Sequence, residues 1–235
     1  MKFEGLIFDF NGVLLWDTHL QETAWKQFSE KIRGTPFSSD EIAIQVHGRT
    51  NQHTLEYLTG STLTGPDLAT LTQQKETIYR QLCLAQYEAF KLSPGAIELL
   101  DYLVFHQIPH TIATASEKTN LDFFVEHLSL EKWFDLDKIV YDDGRRPGKP
   151  APDIYIEAAH QLGLEPAHAV VVEDSFSGIE AAHAAGIGFI IGIGPANTHP
   201  QIEKKAGVNA VVTNLGEIPK ERLFQATNSG NKKTD

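Results

Sequence analysis

Two apolar segments of the sequence end in acidic residues that could hold a cation. Residues 6–8 run directly into Asp9, and residues 169–172 run directly into Glu173 and Asp174. Continuous apolar runs are typical of buried parallel strands, and ligands of open α/β sheets bind beyond the carboxyl ends of the strands. Carboxylates that meet there suit Mg²⁺, which prefers oxygen ligands. The alternative, for each acid taken singly, is a cap on the following turn or helix.

The residues after Asp9 leave two interpretations open. Asn11 and Gly12 form an Asn-Gly pair between apolar residues, which is a strong signal for a hairpin turn. On this stretch alone, a hairpin and a functional strand end are equally good interpretations. The rest of the chain has to distinguish them.

Two further polar segments carry groups that bind phosphate in proteins. Thr114, Ala115 and Ser116 follow a short strand pattern, where hydroxyls and backbone N–H groups near a helix start can hold an anion. A simple N-cap is the alternative. Lys149 lies in a loop stiffened by two prolines, and a lysine can neutralise a phosphate and a carboxylate beside it. An exposed loop lysine is the alternative there.

The elements that would position these residues fall into two groups. Strand and helix patterns alternate from about residue 91 onward, which predicts an α/β fold with a doubly wound parallel sheet that includes the first strand. Residues 17–88 show only helical patterns, so we expect an all-helical cap domain inserted into a core of residues 1–16 and 89–235. Such an insertion lies over the strand ends and can close on a ligand. Residues 226–235 are predicted to form a loose tail.

Local signals also predict how particular helices begin and pack. Thr18 with Gln21 resembles a capping box, and Asp153 is expected to cap the helix over 153–162. A long helix is predicted over 66–88. Its apolar face consists of Leu68, Leu71, Ile78, Leu82 and Ala85.

Composition limits the classes of partner. The 235-residue chain has a net charge of −11, which disfavours nucleic acids and acidic membranes as partners. The sequence shows no signal-peptide pattern and no apolar run of about 18 residues, the length of a membrane span. Its single cysteine, Cys83, fits a packed helix residue and a reducing compartment. We therefore expect a cytoplasmic protein, with a monomer as the default state.

Taken in order, these motifs resemble the haloacid dehalogenase-like (HAD) hydrolase superfamily, and most closely its branch of β-phosphoglucomutase and small-molecule phosphatases. The resemblance covers nearly the whole chain and implies a Rossmann-type core with a helical cap. The segments that carry it are residues 9–13, 114–116, Lys149, and 173–175 followed by 177–182, with residues 93–95 and 148–153 as further landmarks.

The resemblance also implies a role for each motif at the strand ends. Asp9 would be the nucleophile that forms an aspartyl-phosphate. Asp9 and Asp174 would bind Mg²⁺ through their side chains, with help from Glu173 directly or through water. The backbone carbonyl of Asn11 would be a further ligand, and Lys149 would balance charge around the phosphoryl group.

Binding roles follow in the same way from the resemblance. Thr114, Ala115 and Ser116 would hold the transferring phosphoryl group. His47, Gly48 and Arg49 lie where family members place cap residues that contact the substrate, although a solvated arginine at a helix end is an equal alternative for Arg49. The substrate would be a small phosphorylated metabolite.

Asn11 is the departure from the family pattern. Phosphatases and phosphomutases of the family have an aspartate at this position, which protonates the leaving group and then activates water. An amide cannot exchange a proton in this way, and general acid–base help is worth roughly 10²–10⁴-fold in rate. Asp17 and His19 are candidates for a replacement, but a surface position is the stronger expectation for both.

Three hypotheses follow, and the first is favoured. The chain is a Mg²⁺-dependent enzyme that hydrolyses a small, sugar phosphate-like monoester through Asp9, with activity lowered by Asn11. The alternatives are a low-turnover relative that binds or senses a phosphate ligand, and a phosphomutase. Dehalogenation is disfavoured because Glu173 and Asp174 build a metal site, and phosphonate cleavage because no cap lysine is a convincing Schiff-base candidate.

Overall fold

The computed structural model describes residues 2–86 and 90–224 and contains one six-stranded parallel sheet. The strands pair in the order β3-β2-β1-β4-β5-β6. They are β1 Gly5–Phe8, β2 His110–Glu117, β3 Val140–Asp142, β4 Ala169–Glu173, β5 Phe189–Ile193 and β6 Val208–Val212. The prediction of a doubly wound parallel sheet is confirmed. Because β1 lies between β2 and β4, its carboxyl end is at the centre of the sheet's edge.

Helices cover both faces of this sheet. Leu6 and Phe8 point into one apolar cluster and Ile7 into the other, as the two-residue period of a strand requires. Both faces are therefore buried, which explains the unbroken apolar run of β1. The helices of the core are α5 Ala96–Phe105, α6 Lys118–Leu128, α7 Asp153–Gln161, α8 Phe176–Ala184, α9 His199–Ile202 and α10 Lys220–Leu223.

Four helices between β1 and α5 form the cap. They are α1 Thr18–Arg33, α2 Ser39–Gln45, α3 Asn51–Thr59 and α4 Gly65–Ala85. They share an apolar cluster of their own, centred on Trp25, Phe28 and Leu55. The expected boundary at residues 88 and 89 and the expected tail at 226–235 lie outside the described residues. Within the described ranges, no helix is long and apolar enough to cross a membrane.

The packing of α4 differs from the prediction. Its expected apolar residues are only half-buried, and Ala85 is exposed. The fully buried stripe lies beside them and consists of Thr72, Lys75, Glu76, Tyr79 and Cys83. The reason is that α4 packs between two cores. Leu68 and Leu71 contact the apolar cluster of the cap, while Tyr79 and Cys83 belong to the apolar cluster of the α/β core, against which Leu82 also packs.

The predicted helix caps were wrong at two positions. Asp17, and not Thr18, stands at the N-cap of α1, and its side chain makes no capping bond because it is bonded elsewhere. Helix α7 has Pro152 at its N-cap, so Asp153 is the first helical residue. Strand β2 also continues to Glu117, which places residues 114–116 inside its last part rather than after it.

Candidate active site

A buried lysine joins two carboxylates at the carboxyl ends of β1 and β4. Lys149 Nζ donates to Asp9 Oδ1 at 2.6 Å and to Glu173 Oε1 at 2.6 Å. The three residues are buried, with 3%, 6% and 0% of their surface exposed. Lys149 is thus not the exposed loop lysine of the alternative interpretation. The fold brings it together with the acids at the ends of β1 and β4, Asp9 and Glu173.

Crowding of negative charge shifts the pKa values of these groups. Burial raises the pKa of Asp9 to about 7; Lys149 opposes this shift and Glu173 adds to it. Burial alone would lower the pKa of Lys149, but Asp9 and Glu173 outweigh it and raise the value. Burial, followed by the charges of Glu173 and Asp9, holds the pKa of Asp174 well above its ordinary value. Three carboxylates around one lysine leave an excess of negative charge that a bound cation would stabilise.

The donor atoms fit a hard divalent cation. Carboxylate oxygens of Asp9, Glu173 and Asp174 lie within 4.8 Å of one another. Gly12 is left-handed at φ 85°, and a Cβ there would lie 2.0 Å from Asp174 Oδ2, so only glycine lets the turn approach this carboxylate. The Asn-Gly turn therefore lies at the site. The segment is both a tight turn and a functional strand end, so the two interpretations of residues 9–12 are compatible.

Glu173 is less available than the other two carboxylates. Its Oε1 accepts from Lys149 Nζ at 2.6 Å and from Tyr155 OH at 2.9 Å. Its Oε2 accepts from the backbone N of Ser175 at 2.8 Å and from Ser175 Oγ at 3.0 Å. With both oxygens in use, Glu173 is better placed to hold Lys149 than to contact a metal directly.

Residues 114–116, the predicted phosphate-binding segment, line the cavity beside Asp9. Thr114 Oγ1 accepts from the backbone N of Ser116 at 3.1 Å, and Ser116 Oγ donates to Asn11 Oδ1 at 2.8 Å. Asp9 and residues 114–116 line one cavity, whose empty space of about 650 Å³ is open to solvent. A phosphoryl group in this cavity would lie between a candidate nucleophile and the hydroxyls that could hold it.

The cap reaches the site through the three residues predicted for it. Ser177 Oγ donates to the carbonyl oxygen of His47 at 3.0 Å, and Arg49 donates through one guanidinium N–H to the carbonyl oxygen of Lys149 at 3.0 Å. A Cβ on Gly48 would lie 2.3 Å from Ser177 Oγ, so the loop can sit on the core only with glycine here. Arg49 is half-buried and lines the cavity, which differs from a solvated helix end.

The sequence analysis missed a polar cluster on the cap wall of the cavity. Lys75 Nζ donates to Gln21 Oε1 at 2.7 Å and to Glu76 Oε1 at 2.9 Å, and lies 4.7 Å from the centre of the Trp25 ring. Glu76 also accepts from Asn51 Nδ2 at 2.7 Å. Lys75 is thus a buried lysine of the cap that the sequence analysis did not single out. Lys75 lies four residues after Leu71 and three before Ile78, so helical periodicity places it on the predicted apolar face of α4. A lysine on that face was the sequence signal that could have identified the cluster.

Asp17 is not at the surface, contrary to expectation. It is 1% exposed and accepts from Asn11 Nδ2 at 2.7 Å and from Tyr79 OH at 2.5 Å. Burial raises its pKa, opposed by these two hydrogen bonds. His19 is exposed, faces Gln86 Oε1 at 3.5 Å and does not line the cavity.

Known proteins share this arrangement of core and cap. The family model described as haloacid dehalogenase-like hydrolase matches residues 3–186. Phosphorylated carbohydrates phosphatase from Thermotoga maritima is 30% identical over 209 residues, 89% of this chain and 94% of that protein. Beta-phosphoglucomutase from Bacillus subtilis is 28% identical over 227 residues, 94% of this chain and 94% of its own length. A solved structure of a HAD hydrolase, family IA, variant 3, from Entamoeba histolytica is 39% identical, with a TM-score of 0.83 over 94% of this chain and 97% of that one.

Proposed function

Because the chain belongs to the haloacid dehalogenase-like hydrolase family and is therefore a hydrolase, we propose that it hydrolyses small phosphate monoesters with Asp9 as the nucleophile. The observation that carries this proposal is the buried Lys149 bonded to both Asp9 and Glu173 beside the cavity. The names of the relatives, a phosphatase of phosphorylated carbohydrates and a phosphoglucomutase, favour a sugar phosphate-like substrate.

The roles follow from which atoms are already bonded. Asp9 Oδ1 accepts from Lys149, so Oδ2 is the oxygen that attacks phosphorus and forms the aspartyl-phosphate. Lys149 stays beside the transferring group and offsets its charge. Thr114 and Ser116, with the Ala115 N–H, would bind the phosphoryl oxygens. Most of the rate enhancement would come from positioning and electrostatic stabilisation.

Mg²⁺ fits the excess of carboxylates at the strand ends. The side chains of Asp9 and Asp174 would hold it with the backbone carbonyl of Asn11, and Glu173, whose oxygens both accept hydrogen bonds, would assist through water. When bound, the cation supplies positive charge to the phosphoryl oxygens. Burial, together with the negative charge of Glu173, raises the pKa values of Asp9 and Asp174, and a cation would offset this crowding of negative charge.

The cap, which we take as residues 17–88, would select the substrate. Arg49 and His47 would contact its distal polar groups. The pair of Lys75 and Glu76, with Asn51, offers both donors and acceptors on the facing wall, which suits the hydroxyls of a polyol or sugar.

A low-turnover phosphate-binding relative is the second candidate. The amide of Asn11 is the observation that favours it, because an amide gives no proton to a poor leaving group. This candidate shares the site, the metal and the ligand class with the first, and differs in turnover alone.

The test is hydrolysis of an aryl phosphate, p-nitrophenyl phosphate, with Mg²⁺ and with EDTA. We expect Mg²⁺-dependent phosphate release that Asp9→Asn abolishes, and an unchanged rate in Asp122→Asn, which alters an exposed pair on α6. Full activity in Asp9→Asn would refute the nucleophile. No activity on an ester panel, with phosphate still bound, would favour the second candidate. Mass spectrometry of the Asn11 peptide excludes a contribution from deamidated protein.

A further inference from the structure

The Asn11 side chain has a defined orientation. Its Nδ2 donates to Asp17 Oδ2 at 2.7 Å, and its Oδ1 accepts from Ser116 Oγ at 2.8 Å. Asp17 Oδ2 accepts from Tyr79 OH as well. A carboxylate oxygen only accepts hydrogen bonds, so Asn11 presents its N–H, and not its amide oxygen, to Asp17 Oδ2. The amide oxygen therefore faces the phosphate-binding segment.

The group that fixes this orientation comes from the cap. Asp17 stands at the start of α1, and Tyr79 lies in α4 with none of its surface exposed. Within the described residues, Asp17 Oδ1 is buried without a hydrogen-bond partner. A buried carboxylate oxygen without a hydrogen-bond partner is unfavourable for stability. Stability alone thus gives no reason for a carboxylate at position 17, whereas its contact with Asn11 does.

We propose that Asp17 is a positioning residue that turns the Asn11 amide oxygen toward the phosphoryl site, where it accepts a hydrogen bond from the attacking water. This inference rests on the proposed phosphatase function. Nδ2, held by Asp17, points away from the site. The residue at position 11 thus orients water as a carboxylate would, although it does not exchange a proton.

The second half of the reaction, in which water hydrolyses the aspartyl-phosphate, needs no residue that accepts a proton. The water oxygen bonds to phosphorus, and the bond from phosphorus to the Asp9 oxygen breaks. Asp9 departs with that electron pair as a carboxylate. Both water protons remain on the product, dihydrogen phosphate, which then equilibrates with solvent. No net proton acceptor is required, so an oriented acceptor is sufficient. The first half differs, because an alkoxide leaving group requires a proton that Asn11 lacks.

A four-variant cycle tests the inference with p-nitrophenyl phosphate, whose leaving group needs no protonation, and with a hexose 6-phosphate. Asp17→Asn keeps the shape but offers an N–H of its own, so the Asn11 amide can rotate. We expect kcat to fall roughly 10-fold, the equivalent of one hydrogen bond, with KM within about twofold. Asn11→Asp alone places two carboxylates 2.7 Å apart and should gain little.

The exchange variant Asn11→Asp/Asp17→Asn separates positioning from a structural role. It keeps the hydrogen bond with its direction reversed, so we expect it to recover at least wild-type kcat on the aryl ester and to exceed wild type on the hexose phosphate. A purely structural Asp17 predicts that the single and exchange variants lose activity together with melting temperature. That result would overturn the inference.

Two further readouts keep the result decisive. Tyr79→Phe removes the hydroxyl that holds Asp17 and serves as a substitute if Asp17→Asn does not fold. We expect it to lower kcat by a similar factor. Exchange of the Asn11 side-chain NH₂ protons, followed by NMR, should accelerate in Asp17→Asn even without turnover; unchanged exchange would overturn the inference. If hydrolysis depends on Asp9 but Asp17→Asn leaves its rate unchanged, the inference about Asp17 is wrong and the proposed function stands. If hydrolysis survives Asp9→Asn, the proposed function itself is wrong.

Discussion

The buried pair of Lys75 and Glu76 should contribute strongly to the stability of the cap. The side chains are 2% and 6% exposed, and Lys75 Nζ lies 2.9 Å from Glu76 Oε1. At an effective dielectric constant of about 20, charges at this distance attract by roughly 6 kcal/mol, which the cost of desolvation offsets in large part. Glu76→Gln removes the charge and presents an N–H to a site built from donors. Removal of one partner of such a pair is expected to destabilise by about 3–5 kcal/mol.

Thermal unfolding followed by circular dichroism measures this loss. For a chain of this length, 1 kcal/mol shifts the melting temperature by about 2–4 °C, so Glu76→Gln should lower it by roughly 6–20 °C. Hydrogen exchange of the α4 amides should locate the loss in the cap, which has an apolar cluster of its own.

The matched control is the exposed pair of Lys118 and Asp122, whose side chains are 58% and 60% exposed. Asp122→Asn should change stability by less than about 1 kcal/mol. The double variant Lys75→Met/Glu76→Gln should recover part of the loss, because it leaves no buried charge without its partner. A melting temperature for Glu76→Gln equal to that of Asp122→Asn would refute the reasoning.

The same pair predicts a pH dependence. Burial would raise the pKa of Glu76, but Lys75 and the amides of Asn120 and Asn51 outweigh it and hold the pKa below its ordinary value of 4.5. The folded state therefore binds this proton less readily than the unfolded state. The contribution of Glu76 is complete above pH 4.5 and disappears as the pH falls further. The difference between wild type and Glu76→Gln should shrink below that pH, and a constant difference would contradict the assignment.

Three further outcomes are expected. Gly48→Ala should raise KM, because its Cβ would meet Ser177 Oγ at 2.3 Å, whereas Gly60→Ala shares the positive φ but meets nothing within 4 Å and should keep the wild-type KM. Mg²⁺ should bind more tightly as pH rises through about 7, because burial raises the pKa of Asp9 to that value and the cation competes with its proton; a thermal-shift titration that is equal at pH 6 and pH 8 would contradict this. Cys83, buried and with its pKa raised by burial to about 12, should react with a disulfide reagent at pH 8 only after unfolding.

The core of the site was predictable because parallel strands bring their carboxyl ends to one edge. The apolar runs before Asp9 and Glu173 have the length and continuity of buried strands, which predicted that both strands belong to one parallel sheet. Register is then dictated by pairing, and Phe8 lies beside Val172. The sequence predicted that the acids lie at one edge of the sheet, and the structure adds that β1 and β4 are neighbours, which brings Asp9 close to Glu173 and Asp174.

The cap wall was not predictable by the same means. Helical periodicity indicates which residues share a face but not which of two cores that face meets. Helix α4 packs between both cores, so its buried stripe is polar where it borders the cavity and apolar elsewhere. The burial of Asp17 escaped detection for a related reason. Its partner Tyr79 is 62 residues away, and the local capping signal pointed to Thr18 rather than to Asp17.

Asn11 is best understood together with Asp17 rather than as a missing acid. A carboxylate at position 11 would lie about where the amide now contacts Asp17 Oδ2, at 2.7 Å, and would join the carboxylates of Asp9 and Asp174 around the same cavity. Two carboxylates at such a distance cannot both ionise, so one would have to keep a proton. With an amide at position 11, both hydrogen-bonding partners are satisfied without that constraint. The resemblance implies only that an amide stands where relatives have an acid, whereas the fold places the carboxylate of Asp17 beside that amide. Activity should therefore respond to the pair of residues as a unit, and neither substitution alone should reproduce the effect of exchanging both.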